Sequence, residues 1–265
     1  MMYLSLKPEK RFIRLAIIIS AGFIAQWIMI LDMKRNYGTQ YISMFDWYIL
    51  NYSAANLIPN FIIWGIPLLC GFLNGNMFAF YRPAAQYLFV RTPQKSFLLR
   101  KRNEVIRNTA LDVILFFLSA AGCLFITMKS ADPSMATAVS IPSSRVEFSL
   151  AYFSHPFIFI SYYVAVICIF NIAFALCGFL ISTYSSNGVL IRCTPFLVMI
   201  LDSIIATSIS GIGTLVNYSD SAQILVRNSS LGFAMDSLFR LLIPILLVIL
   251  LCRVIRKRSD QDIAI

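Results

Sequence analysis

Residues 82–107 read RPAAQYLFVRTPQKSFLLRKRNEVIR and stand between two long apolar segments. The stretch carries Arg82, Arg91, Lys95, Arg100, Lys101, Arg102 and Arg107 against a single acid, Glu104. Lys and Arg that flank membrane spans are retained on the cytoplasmic side, so this loop orients the segments on either side of it. Within it, Thr92-Pro93 is a helix opening, a hydroxyl suited to the N-cap followed by proline at the first helical position. With Gln94 to Leu99 following, the pattern predicts a short cytoplasmic helix that leads into a span.

The chain of 265 residues is 59% hydrophobic and 13% charged, with a mean hydropathy of +0.77. Those values lie well outside the range of soluble globular domains. The expected fold class is all-α: a polytopic integral membrane protein with six transmembrane helices, both termini cytoplasmic, and one transmembrane domain covering residues 1–265. The loops between spans are too short to hold a soluble catalytic domain. The net charge of +10 does not point to nucleic acid, because the basic residues gather at span ends on one side.

Met1 to Leu6, followed by Lys7, Lys10, Arg11 and Arg14, suits a short helix in the cytoplasmic interface. Predicted spans cover residues 15–31, 57–80, 109–128, 157–184, 192–216 and 236–252. Trp47, Tyr48 and Tyr52 mark a headgroup level at the end of the first external loop, and Ser185-Ser186-Asn187-Gly188 reads as a tight turn between spans four and five. Under this topology sixteen of the 22 Lys and Arg lie inside. The outer six are matched by Asp32, Asp46, Asp132, Glu147, Asp220 and Asp236. Such an imbalance is the charge signature of a multi-pass protein, and a bacterial plasma membrane is the expected location.

Polar groups within the spans are the candidate functional residues, since each costs free energy unless it faces protein or water. Span two is broken by Pro59, Pro67 and several glycines, and Gly71-Phe72-Leu73-Asn74-Gly75 fits the small-xxx-small spacing that lets helices approach closely. Gly71, Asn74 and Gly75, with Asn171 in span four and Asp202 and Thr207 in span five, are therefore expected at helix interfaces or along a substrate path. Asp202 stands near mid-membrane, where a carboxylate costs roughly 2.5–3.5 kcal/mol on insertion scales. Asp112 lies about one turn inside span three, and Arg107 and Asn108 are its expected local partners.

No GxxxxGK[ST], HExxH or GxSxG sequence occurs, so the chain has no motif for hydrolysing ATP and is not expected to be an enzyme by itself. The six cysteines fall within or beside apolar segments, with no CxxC and no Cys/His pairing, which leaves no predicted metal site. His155, the one histidine, falls in an external loop, away from Ser208-Ile209-Ser210-Gly211 and unable to serve as its base.

An interfacial N-terminal helix, six spans, the basic loop with Val90-Arg91-Thr92-Pro93-Gln94-Lys95-Ser96-Phe97-Leu98-Leu99, and a polar external segment before the last span together resemble the permease subunit of type 2 ABC exporters. The resemblance is architectural and covers the whole chain. It implies a short coupling helix between spans two and three, with Arg91, Thr92, Pro93, Gln94, Lys95, Arg100 and Lys101 contacting a separate ATPase subunit. It also implies two such ATPases, which would bind ATP and Mg, and a second permease forming a homodimer or heterodimer. The substrate would be an amphiphile, such as a peptide, lipid-linked glycan or drug. The reading from a different class is a stand-alone ion-coupled carrier, or a non-transporting receptor or assembly factor, in which Asp112 and Asp202 would be the residues of interest.

Overall fold

A polypeptide surrounded by hydrocarbon must satisfy its backbone groups internally, and long apolar runs do this as helices. The computed structural model describes residues 8–37, 57–79, 94–127, 156–208 and 233–260. They form six helices: α1 (Pro8–Tyr37), α2 (Leu57–Ala79), α3 (Gln94–Thr127), α4 (Pro156–Ser182), α5 (Gly188–Ser208) and α6 (Phe233–Ser259). There is no strand among the described residues. Four stretches are long and apolar enough to cross a membrane: Phe12–Leu31, Lys95–Thr127, Ile160–Ser182 and Gly188–Ile205. In α2 the corresponding stretch is shorter, Ile62–Asn74.

Several boundaries differ from the sequence expectation. The separate short helix predicted to precede span three does not exist as such. Residues 94–127 form one continuous helix of 34 residues, about 51 Å long at 1.5 Å per residue. No glycine or proline occurs between Gln94 and Ala121, and Leu98 and Val105 are buried, so neither propensity nor packing favours a break. Likewise α6 continues past Cys252 through Arg253, Arg256, Lys257 and Arg258, and α5 begins at Gly188 rather than Arg192. The predicted interfacial segment 1–7, residues 82–93, His155 and the external loops beyond residue 37 lie outside the described residues.

The turn between α4 and α5 follows from its sequence. Asn187 caps α5: its Oδ1 accepts from the N–H of Val189 at 3.0 Å and of Leu190 at 3.2 Å, while Ser185 Oγ accepts from the Asn187 N–H at 3.1 Å. A tight hairpin results.

Helix α4 is the centre of the bundle. Val166, Ile167, Phe170, Ala173, Phe174, Ala175 and Leu176 are all buried, and α4 packs on α2, α3, α5 and α6. A helix apolar on every face belongs in such a position. Aromatic edges tie it to α3, where Phe117 meets Tyr163 at 6.0 Å between centroids and 89° between planes. By contrast α1 lies outside, packed mainly on α3, with Phe12, Ile24, Trp27 and Leu31 exposed to what would be lipid.

Small residues set two close approaches. A Cβ at Gly71 of α2 would overlap the carbonyl oxygen of Arg192 on α5 and stand 3.2 Å from Pro195 Cγ. Gly178 of α4 lies on the other side of the same proline, its would-be Cβ 3.4 Å from Pro195 Cδ. Pro195 is thus seated between two glycines, and α2, α4 and α5 meet at one node. On the opposite side of the bundle, Gly22 of α1 leaves no room for a Cβ against Ser119 and the Phe116 carbonyl of α3.

These contacts also fix direction. Arg14 meets Asp112 and Gly22 meets Phe116, so α1 and α3 run the same way. Lys95 at the start of α3 meets Asp260 at the end of α6, and the two helices pack on each other, so α3 and α6 run oppositely. The N-terminal ends of α1, α3 and α5 and the C-terminal ends of α2, α4 and α6 therefore gather at one end of the bundle, its base.

Candidate functional site

Asp112 is the nineteenth residue of α3, so about 27 Å of helix separates it from Gln94. At that depth its carboxylate needs a partner, and the predicted local one is not used. Arg107 is exposed and makes no ion pair among the described residues. Five positions on a helix is a rotation of about 140° from Asp112, which turns Arg107 away from it. Asn108 contributes its carbonyl oxygen, and that oxygen faces a different cation.

The cation is Arg14 of α1, 98 residues away in sequence. Its Nε donates to Asp112 Oδ1 at 3.1 Å, and its Nη2 donates to Asp112 Oδ2, making a two-pronged pair. The same Nη2 reaches Asn74 Oδ1 of α2 at 3.1 Å and the Asn108 carbonyl at 3.4 Å. Asn74 completes the arrangement. Its Nδ2 donates to the Cys70 carbonyl at 3.0 Å and lies 3.3 Å from both Thr109 Oγ1 and Asp112 Oδ2. Three helices are thereby joined through one guanidinium, one carboxylate and one amide.

Burial makes this cluster consequential. The Arg14 side chain is 12% exposed and that of Asp112 4%. Asn74 and Thr109 are buried as well. A charge pair so enclosed is held mostly by its geometry, because desolvation cancels much of the Coulombic gain, and removal of either member leaves a costly remainder. The fork of arginine, matched to both carboxylate oxygens, is the geometry that offsets this cost best.

The remaining candidate residues are distributed as follows. Gly71 lies at the α2–α5 approach, one turn before Asn74, and Gly75 follows Asn74 on α2. Asn171 is buried in α4 and donates to the Ile167 carbonyl of its own helix at 2.9 Å. Asp202 is half-buried on α5, beside Ser203, whose buried Oγ has no hydrogen-bond partner among the described residues. Thr207 belongs to the last turn of α5. Among the residues expected to contact an ATPase, Arg91, Thr92 and Pro93 fall outside the described residues, and Gln94 opens α3. Lys95 is half-exposed and paired with Asp260 at 2.6 Å. Arg100 is exposed, and Lys101 pairs with Glu104 at 2.6 Å along its own helix.

Two residues escaped the sequence reading. Arg14 looks like one more inner-side cation, yet its depth signals its partner, since it lies just before the apolar run of α1 as Asp112 lies just inside that of α3. Gln26, 1% exposed, has neither its Oε1 nor its Nε2 partnered among the described residues. Nothing but its position in an apolar run distinguishes it in sequence. All six cysteines are free, and no group of three or more His, Cys, Asp or Glu side chains converges among the described residues.

Compared with known proteins, the chain matches no protein-family model, no curated protein and no solved structure.

Proposed function

We propose that this chain is the membrane-spanning permease subunit of an ATP-driven exporter of amphiphilic substrates, working as a dimer with two copies of a separate ATPase. It passes six times through the plasma membrane, with both termini in the cytoplasm. The observation that carries this reading is the continuity of α3. One uninterrupted helix joins a basic base, with Lys95 and Arg100 outward, to a middle clamped by Asp112 onto α1 and α2. A separate short helix would lose motion at its junction with the span. A continuous one transmits displacement of its base directly to the helices that Arg14 and Asn74 hold. The cations at the base supply orientation and encounter rate toward an acidic ATPase surface, while Phe97, half-buried at the same level, supplies apolar contact.

Purification in mild detergent, with mass identification of copurifying chains and an ATPase assay, tests this. The expected result is a stoichiometric ATPase subunit that the variant K95E/R100E loses while its elution profile is unchanged. A chain recovered alone, without ATP hydrolysis, under conditions that preserve such complexes refutes it.

A second reading, an ion-coupled carrier, is favoured by the Asp112 carboxylate at membrane depth, buried and ion-paired with Arg14. It predicts transport that collapses with the proton or sodium gradient and not with ATP depletion. An Asp112→Asn variant would then uncouple transport from that gradient.

A further inference from the structure

The base of the bundle pairs the N-terminal half of α3 with the C-terminal half of α6, and its charges are unevenly matched. The two acids described there, Glu104 and Asp260, are engaged by Lys101 and Lys95. Arg258 stacks over the Tyr184 ring, its guanidinium carbon 4.5 Å from the ring centre. Arg102 has no acid. It is half-buried, and its Nε and Nη2 donate only to the neighbouring Asn103 Oδ1, at 3.1 and 2.8 Å.

The register of the two helices brings a second guanidinium to within about one turn of it along the seam. Lys95 meets Asp260, and the two helices pack on each other, so in antiparallel register the α6 stripe Cys252, Arg256 and Asp260 runs along this face of α3, with Arg102 near the level of its Cys252 end. Arg256 is the middle member of that stripe, one turn from Cys252 and one turn from Asp260. It is exposed and has no ion pair among the described residues. Beneath the stripe Leu98, Leu251 and Ile255 are buried. Two guanidiniums thus lie about one turn apart along the edge of an apolar seam, and no acid among the described residues pairs with either. The level is that of lipid headgroups, because Cys252 ends the apolar core of α6 and Arg253 opens its basic run.

We propose that the α3–α6 seam binds the headgroup of an anionic phospholipid, with Arg102 and Arg256 holding its phosphate and an acyl chain lying against the apolar flank of α6. Basic recesses between membrane helices on the cytoplasmic side take up anionic headgroups, and the planar fork of arginine matches phosphate oxygens two at a time. A mere topology signal needs cations at this level but does not need two of them converging on one seam. The inference does not depend on the exporter reading, since it requires only that this end of the bundle lie at a membrane surface.

The test is native mass spectrometry of the full chain from nanodiscs of equal parts phosphatidylcholine and phosphatidylglycerol. The wild type is expected to retain phosphatidylglycerol with roughly tenfold preference, the scale of a charge-assisted hydrogen bond or two. R107Q/R253Q, which removes two exposed cations of the same base, keeps that preference, whereas R102Q/R256Q loses most of it. R102K/R256K keeps the charge without the fork and falls between them, which decides the matter if the Gln variant does not fold. Equal preference in all variants overturns the proposal, as does an equal loss in R107Q/R253Q, which signals diffuse attraction alone. Full displacement of the lipid by inorganic phosphate overturns the assignment to a lipid. Unchanged lipid retention by R102Q/R256Q together with loss of a copurifying ATPase assigns the arginines to a protein partner instead.

Discussion

Replacement of Asp112 by leucine removes the carboxylate that holds Arg14 and leaves the guanidinium with the Asn74 amide oxygen and the Asn108 carbonyl, at 3.1 and 3.4 Å. Neither carries a negative charge. Breaking a buried pair by deleting one member costs about 3–5 kcal/mol, and the 4% exposure of Asp112 places it in that class. The two single variants are not equivalent. A carboxyl left alone by Arg14→Met can take up a proton and shed its charge, whereas a guanidinium left alone by Asp112→Leu keeps its charge. Asp112→Leu is therefore the more damaging. In R14M/D112L both charges are gone, and the methionine and leucine side chains can fill the space, so that most of the loss is recovered. Unfolding by SDS titration from mixed micelles, read by circular dichroism, gives the double-mutant cycle. The expected coupling is on the order of 2 kcal/mol or more. A coupling below about 1 kcal/mol, the value of a solvated pair, refutes the cluster as a clamp.

Other consequences follow from packing. Gly71→Ala sets a methyl against the Arg192 carbonyl and Pro195, so α2 and α5 must separate; the expected loss is about 1–3 kcal/mol by the same titration. Gly65→Ala on the same helix meets nothing within 4 Å and should be neutral or stabilising by about 0.5–1 kcal/mol, so equal effects at both positions would refute the α2–α5 approach. Gly22→Ala, which collides with the Phe116 carbonyl, should loosen α1 from α3 and speed proteolysis near α1, whereas unchanged cleavage contradicts that contact. Gln26→Leu replaces an amide with no partner by an apolar side chain of similar size and should stabilise the protein by about 1–3 kcal/mol; destabilisation would mean that the amide is hydrogen-bonded.

Helix positions were legible in the chain because bilayer-length apolar runs and their basic flanks are local properties. Four of the six helices begin within four residues of the predicted span, and the tight turn read at Ser185-Ser186-Asn187-Gly188 is where α4 gives way to α5. The exceptions are α1 and α3; in α3 the span and the preceding helix merged, since Thr92-Pro93 reads as a helix start but nothing after it marked a stop. Hydropathy finds the lipid boundary and is blind to a helix that crosses it.

The α1 start also lies further out than the span it contains, and the same blindness hid Arg14's role. Counted as an inner-side cation, Arg14 could only be assigned to topology. Composition and charge order alone determined that this is an all-helical membrane-type chain with a basic base on α3. Which of its charges are partnered was decided by tertiary structure alone. A carboxylate at depth demands a cation, but the demand does not specify sequence distance, and Asp112 met it from α1 rather than from the adjacent turn. Glycine spacing announced a close approach at Gly71, while the identity of the opposing helix depended on where Pro195 could be seated. That Arg102 and Arg256 come to neighbouring levels of the base likewise follows only once α3 and α6 lie antiparallel, because register between helices distant in sequence is set by packing and not by either helix alone.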